Sequence, residues 1–172
     1  KNLKAAGKTK SVAFSREAIQ RSWRTTYLSR SDKLDFIRRY VRQYEKESAD
    51  GLTVHGAYGP RLFAMRGNVN QTENVIRLLE RKPATRRAVI QLFNAEDIAL
   101  EYKEIPCTTT MQFLIRDNHL HMVVTMRSNE AFKGLPHDVF CFTMLQEMIA
   151  PRLSTQLGHY RQFVGSMHLY SD

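Results

Sequence analysis

Residues 109–126 read TTMQFLIRDNHLHMVVTM, and this stretch decides the fold. Two apolar, β-branched runs, Thr109–Ile115 and Leu120–Met126, flank Asp117-Asn118, a pair that tolerates the positive φ angles of a tight hairpin turn. The pattern predicts two antiparallel strands. Upstream, Ala88 to Phe93 reads as a third strand. Before it, Asn70 or Thr72 caps a helix whose buried stripe is Val75, Ile76, Leu78 and Leu79, and Pro83 stops it. Asp32 caps an earlier helix through Leu34, Ile37, Tyr40, Val41 and Tyr44, ending near Ser48 before the Asp50-Gly51 turn. Downstream, Gly134-Leu135-Pro136 breaks the chain. Asp138 opens a long helix through Phe140, Phe142, Met144, Leu145 and Ile149 that Pro151 ends or kinks. A last strand runs from about His159 to Tyr170. Together these predict one α+β domain over residues 1–172, helices packed on a mixed, largely antiparallel sheet.

Composition agrees with a water-soluble fold. The chain has 172 residues, 42% hydrophobic and 25% charged, enough for a substantial core. No apolar run approaches the ~18 residues a membrane span needs, so no membrane partner is expected. Two cysteines without a disulfide pattern predict a cytoplasmic protein. The net charge of +9 is uneven, because residues 1–50 carry 13 basic and 6 acidic side chains, or +7, leaving +2 for the rest. Lys1, Lys4, Lys8 and Lys10 mark residues 1–13 as a solvated, poorly ordered basic arm. Such an arm can attract nucleic acid, but no aromatics interleave to stack on bases, which disfavours that partner.

The polar clusters beside the hairpin carry chemistry. Pro106-Cys107 stands just before the first strand, where the proline fixes the backbone and a thiol can be presented from the sheet edge. A free thiol is only a few per cent ionised at neutral pH, so a nucleophilic role needs a nearby cation, and Arg127 is the candidate. Taken alone, Cys107 reads as an inert buried thiol, as Cys141 on its apolar helix does, and only the surrounding motif reverses that. Arg86-Arg87 open one strand and Arg127-Ser128 end another; guanidinium forks bind phosphate bidentately, although an arginine pair alone is often only a solvated strand end. Asp138 is a carboxylate that, when ionised, can only accept. It suits the N4 amino group of cytosine and repels O4 of uracil unless protonated, and it can equally be a helix cap. His168 and Tyr170, two apart on a strand, share a face. His119-x-His121 has no accompanying carboxylate or cysteine, so no metal site is read.

The order and spacing of Tyr58-Gly59, Arg86-Arg87, Pro106-Cys107, Arg127-Ser128-Asn129-Glu130, Gly134-Leu135-Pro136-His137-Asp138 and His168-Leu169-Tyr170 resemble the thymidylate synthase family, from about Thr53 to Asp172. The resemblance implies a thymidylate synthase-like fold and one-carbon transfer from 5,10-methylenetetrahydrofolate to C5 of a pyrimidine nucleoside monophosphate. It implies Cys107 as nucleophile and Tyr58 in the proton-transfer network. It also implies Arg86, Arg87, Arg127, Ser128, Asn129, Asp138, His168 and Tyr170 at the nucleotide, and Glu130, Gly134 and Leu135 at the folate. It further implies a homodimer in which Arg86 and Arg87 reach the partner's site. Family members extend beyond both ends of this stretch, so the resemblance implies a chain lacking those ends.

Three positions depart from the family pattern. Glu130 stands where Asp is usual and Thr108 where His is frequent. Aligning on Tyr27-Leu28-Ser29 puts Trp23 at the family's catalytic Glu, with Glu17 several residues away. Methylation of deoxyuridylate leads. Asp138 favours hydroxymethylation of a cytidylate as the alternative, and Trp23 favours a catalytically silent nucleotide- or nucleic-acid-binding homologue.

Overall fold

The computed structural model describes residues 30–37, 44–132 and 134–170. The basic arm, Glu17, Trp23 and Tyr27-Leu28-Ser29 lie outside the described residues. Among those described, β1 (Val89–Gln91), β2 (Thr108–Arg116), β3 (His119–Met126) and β5 (Gln156–Val164) form a sheet in the order β1-β2-β3-β5. The first two pairings are antiparallel and β3–β5 is parallel, so the sheet is mixed. Asp117 and Asn118 both adopt positive φ, 49° and 58°, as a two-residue hairpin turn requires.

Asn70 caps α4 (Gln71–Arg81) by accepting from the Glu73 N–H at 2.9 Å. Thr72 instead lies inside the helix, its hydroxyl donating to the Leu62 carbonyl. Val75, Ile76 and Leu79 join Ile90, Phe113, Met122, Phe142 and Ile149 in the main core. The earlier helix begins at Leu34, the first of its apolar positions. Helical turns span α1 (Leu34–Ile37) and α2 (Tyr44–Glu47), with Tyr40 and Val41 outside the described residues. Asp32 is not its cap. The chain there runs extended, Asp32 accepting from the Val54 N–H and Leu34 donating to Leu52.

Helix α5 (Gly134–Arg152) begins four residues before Asp138. Gly134-Leu135-Pro136 therefore does not break the chain. Proline in a first helical turn loses no hydrogen bond, because the N–H it lacks has no acceptor there. Pro151 likewise sits inside the last turn, and Ser154 at φ 51° closes the helix. Buried Gln146 donates to the carbonyls of Leu120 and Gly158, where a register shift interrupts the β3–β5 ladder.

The predicted strand from His159 to Tyr170 is two strands. β5 ends at Val164, and β6 (Met167–His168) pairs in parallel with β4 (Asn129–Glu130) in a separate two-stranded sheet. Two neighbouring chain paths, β3 into β4 and β5 into β6, thus bend apart together. At the bend Gly165 donates to the Met126 carbonyl, and a Cβ on it would sit 3.2 Å from the Arg127 carbonyl. That crowding favours glycine. The bend falls on Arg127-Ser128, between the two sheets.

α3 (Tyr58–Phe63) is anchored by an ion pair that sequence reading missed. Arg61 grips Asp97 with both terminal nitrogens at 2.7 Å and also donates to the carbonyls of Leu92 and His55. Burial alone would raise the Asp97 carboxyl, but Arg61, the Asn94 N–H and His55 hold it below its ordinary value. His55 stacks on Tyr102 at 3.6 Å. A cavity of about 300 Å³ lies here, lined by His55, Arg61, Tyr102 and Glu104, and it includes none of the predicted site residues. Asp97→Asn leaves a buried guanidinium half-paired and should cost about 3–5 kcal/mol of unfolding free energy, read by urea denaturation.

Candidate functional site

The bend between the sheets brings most of the predicted cluster together. Cys107 lies one residue before β2, half-buried. Arg127, one residue past β3, donates from Nε to the Pro106 carbonyl at 2.9 Å and from Nη2 to the Ile105 carbonyl at 3.0 Å. The same Nη2 stands 3.7 Å from Cys107 Sγ. A fixed guanidinium at that distance favours the thiolate. The structure thus brings Arg127, the cation expected from sequence, beside Cys107.

Ser128 follows, its Oγ 3.4 Å from His168 Nδ1 across the β4–β6 pair. Tyr170 lies just past β6, exposed, its ring edge-on to His168 with centroids 4.8 Å apart. Arg127, Ser128, His168 and Tyr170 thus form one ledge beside the thiol.

Tyr58 opens α3 behind that thiol. Its hydroxyl donates to Thr108 Oγ1 and accepts from the Thr108 N–H, both at 3.0 Å. Burial, then the charges of Asp138 and Cys107, push its phenol well above the ordinary range. Tyr58 therefore stays a phenol at neutral pH. Thr108, which departs from the family pattern, is its partner.

Asp138 lies in the second turn of α5. Burial pushes its carboxyl up to about 7, against a hydrogen bond from Asn129. Its charge also reaches Tyr160 on β5, whose phenol is raised by burial and by that carboxylate. The alternation of β5 could have flagged Tyr160, since it faces the core with Gln162 and Val164. Asp138 caps no helix, because α5 starts upstream of it.

Glu130 takes the capping role. Its two oxygens accept from the N–H groups of Phe132 and Gly134, at 2.9 and 3.1 Å. This fixes the carboxylate at the mouth of the loop, beside half-buried Leu135 and exposed Phe132. Glu130, Gly134 and Leu135 therefore lie together at the start of α5.

Arg86 and Arg87 are not brought to this cluster. Ala88 pairs with Phe113, six residues along from Cys107, so the arginine pair stands about 20 Å or more from the thiol. Both are exposed at the sheet's edge.

Asp138 also has a stability signature. A carboxyl raised by folding contributes stability fully present below its unfolded value near 4 and lost as pH rises through about 7. Asp138→Asn should therefore melt above the parent at pH 8, by the equivalent of roughly a few kcal/mol. The gap should close as pH falls from 7 toward 4 in a calorimetric series. A gap unchanged across that range contradicts a buried neutral acid.

Comparison with known proteins agrees with this geometry. A deoxyuridylate hydroxymethyltransferase of Pseudomonas phage M6 is 32% identical over 142 residues, covering 81% of this chain and 40% of that protein. Thymidylate synthase 1 of Bacillus spizizenii is 27% identical over 168 residues, covering 95% of this chain and 60% of that one. Among solved structures, the thermostable thymidylate synthase A from Bacillus subtilis superposes with a TM-score of 0.75 at 25% identity, covering 90% of this chain and 57% of that one. The chain thus spans about half the length of the relatives it matches. Residues 5–172 match the family model described as thymidylate synthase, and the chain belongs to the thymidylate synthase family.

Proposed function

We propose that this chain carries the nucleotide site of an enzyme transferring a one-carbon unit from 5,10-methylenetetrahydrofolate to C5 of a pyrimidine nucleoside monophosphate. The observation that carries the reading is the Arg127 guanidinium 3.7 Å from the Cys107 sulfur, with Tyr58 and Asp138 electrostatically coupled beside it. C5 of a pyrimidine is a poor nucleophile. Addition of the Cys107 thiolate to C6 moves the ring's electron pair toward C5 and O4, and C5 can then attack an electrophilic carbon. The folate supplies that carbon; for a methyl product its reduced ring also gives the hydride that takes the methylene to methyl, as C5 loses its proton and the thiolate leaves C6. Arg127 and Ser128 hold the phosphate, Arg127 through Nη1, the nitrogen not engaged by Ile105 or Pro106. His168 and Tyr170 contact the ribose, while Glu130, Gly134 and Leu135 hold the pterin. Asp138 faces the base edge and Tyr58 positions the proton network as a neutral donor.

A homodimer completes the site, with Arg86 and Arg87 supplied to the partner's phosphate. Two observations support this. The pair stands too far from its own thiol to serve it. The sheet face opposite the core carries exposed Val89 and Phe163 among Gln112, Thr125 and Arg161, a mixed surface that a second copy could cover. Among the described residues no helix is long and apolar enough to cross a membrane.

The product is thymidylate, with a hydroxymethylated cytidylate as the alternative that Asp138 favours. Release of tritium from C5-labelled deoxyuridylate and deoxycytidylate, with methylenetetrahydrofolate present, tests the chemistry. Release from at least one nucleotide is expected, lost by ~10³-fold or more in Cys107→Ala. Release that survives Cys107→Ala contradicts the mechanism. Nucleotide binding without any release supports a silent homologue instead.

A further inference from the structure

The buried residues around Asp138 carry one more specific claim. Asn129 opens β4 with its side chain 4% exposed. Its backbone N–H donates to the Ser166 carbonyl at 2.9 Å, which fixes where the side chain starts. The amide nitrogen lies 3.4 Å from Met126 Sδ, and the side chain hydrogen-bonds Asp138. The first turn of α5 is pressed against this amide: a Cβ on Gly134 would stand 2.5 Å from Asn129 Oδ1, inside any allowed contact. Gly134 is therefore required by its neighbour's amide and not by a left-handed backbone.

We propose that Asn129 is a specificity-determining positioning residue: its amide holds the Asp138 carboxyl in the orientation and charge state that select the pyrimidine, and the missing Cβ at Gly134 makes room for it. This rests on the nucleotide-site reading above and adds to it a residue that need not touch the base. A carboxylate accepts from the N4 amino group of cytosine, whereas a protonated carboxyl can donate to O4 of uracil. Which base fits is therefore decided by the charge on Asp138. An amide suits this task because it can donate to the ionised form or accept from the neutral form. A lysine or arginine there would lock the carboxylate.

The groups facing Asp138 leave that choice to Asn129. From α3 comes Tyr58 and from β5 comes Tyr160, both phenols held neutral by burial and by the carboxylate itself. Cys107 adjoins Tyr58, and its cation Arg127 is engaged by the Ile105 and Pro106 carbonyls. His137, the residue before Asp138 on α5, is pushed by burial toward its neutral form. Burial drives Asp138 toward the acid, and the Asn129 hydrogen bond opposes it.

The test is the binding of deoxyuridylate and deoxycytidylate by calorimetry from pH 5.5 to 8.5, for the parent, Asn129→Ala and Gly134→Ala, each checked for a cooperative melt. The parent should shift toward cytidylate as pH rises through neutrality. Losing a hydrogen bond to a charged group costs a factor of about ten, so the crossover should move up by about one pH unit in Asn129→Ala. Gly134→Ala keeps the amide and displaces it, and should move the crossover in the same direction. Should Asn129→Ala not fold, Gly134→Ala alone decides. Folded variants that bind both nucleotides with the parent's crossover overturn the role of Asn129 while leaving the nucleotide site standing. A parent that binds neither nucleotide overturns both.

Discussion

One guanidinium ties this site together. Arg127 bonds the carbonyls of Ile105 and Pro106 through its side chain and the carbonyl of Cys107 through its backbone N–H. The end of β3 is thereby fastened to the segment that enters β2, and the thiol is fixed beside a permanent positive charge. Each charge-assisted bond of this kind contributes about 1.5–3 kcal/mol. Here the larger consequence is geometric. The backbone that carries the thiol cannot move without breaking contacts that also join the ends of β2 and β3. The divergence of β4 and β6 from the main sheet begins at the same residue, which places Ser128 and His168 on the same ledge.

Around that fixed point the site accepts unfavourable burial. Burial raises the Asp138 carboxyl and the phenols of Tyr58 and Tyr160, the charge of Asp138 raises both phenols further, and that of Cys107 adds to Tyr58. Such a cluster lowers stability at high pH, a common pattern where function and stability oppose each other. The Asp97–Arg61 pair stands further along α3 and secures the helix that begins at Tyr58. Position is held by one ion pair and reactivity by another cation.

Much of the fold was legible, for local reasons. The hairpin followed from two apolar, β-branched runs and a turn pair that accepts positive φ, and α4 followed from its cap and stripe. The start of α5 was misread because proline is disruptive inside a helix but harmless in its first turn. The final strand was misread because only tertiary contact, Gly165 against the Arg127 carbonyl, reveals the bend. In the site, residues recognised by chemistry and spacing came together around Cys107, as the positions of Arg127, Ser128, Asp138 and His168 show. What sequence could not expose were partners fixed by burial: Asp97 for Arg61, Thr108 for Tyr58, and Asn129 for Asp138. None of these has a distinctive spacing. The distance between Arg86-Arg87 and the thiol is likewise a property of strand register alone.

The most direct test is a crystal structure of the protein with a pyrimidine nucleoside monophosphate bound. The account predicts Cys107 Sγ against C6 of the base, the phosphate on Arg127 and Ser128 of the same chain, and Asp138 at the base's N3–C4 edge. A phosphate held elsewhere, or a base lying out of reach of that sulfur, would contradict it.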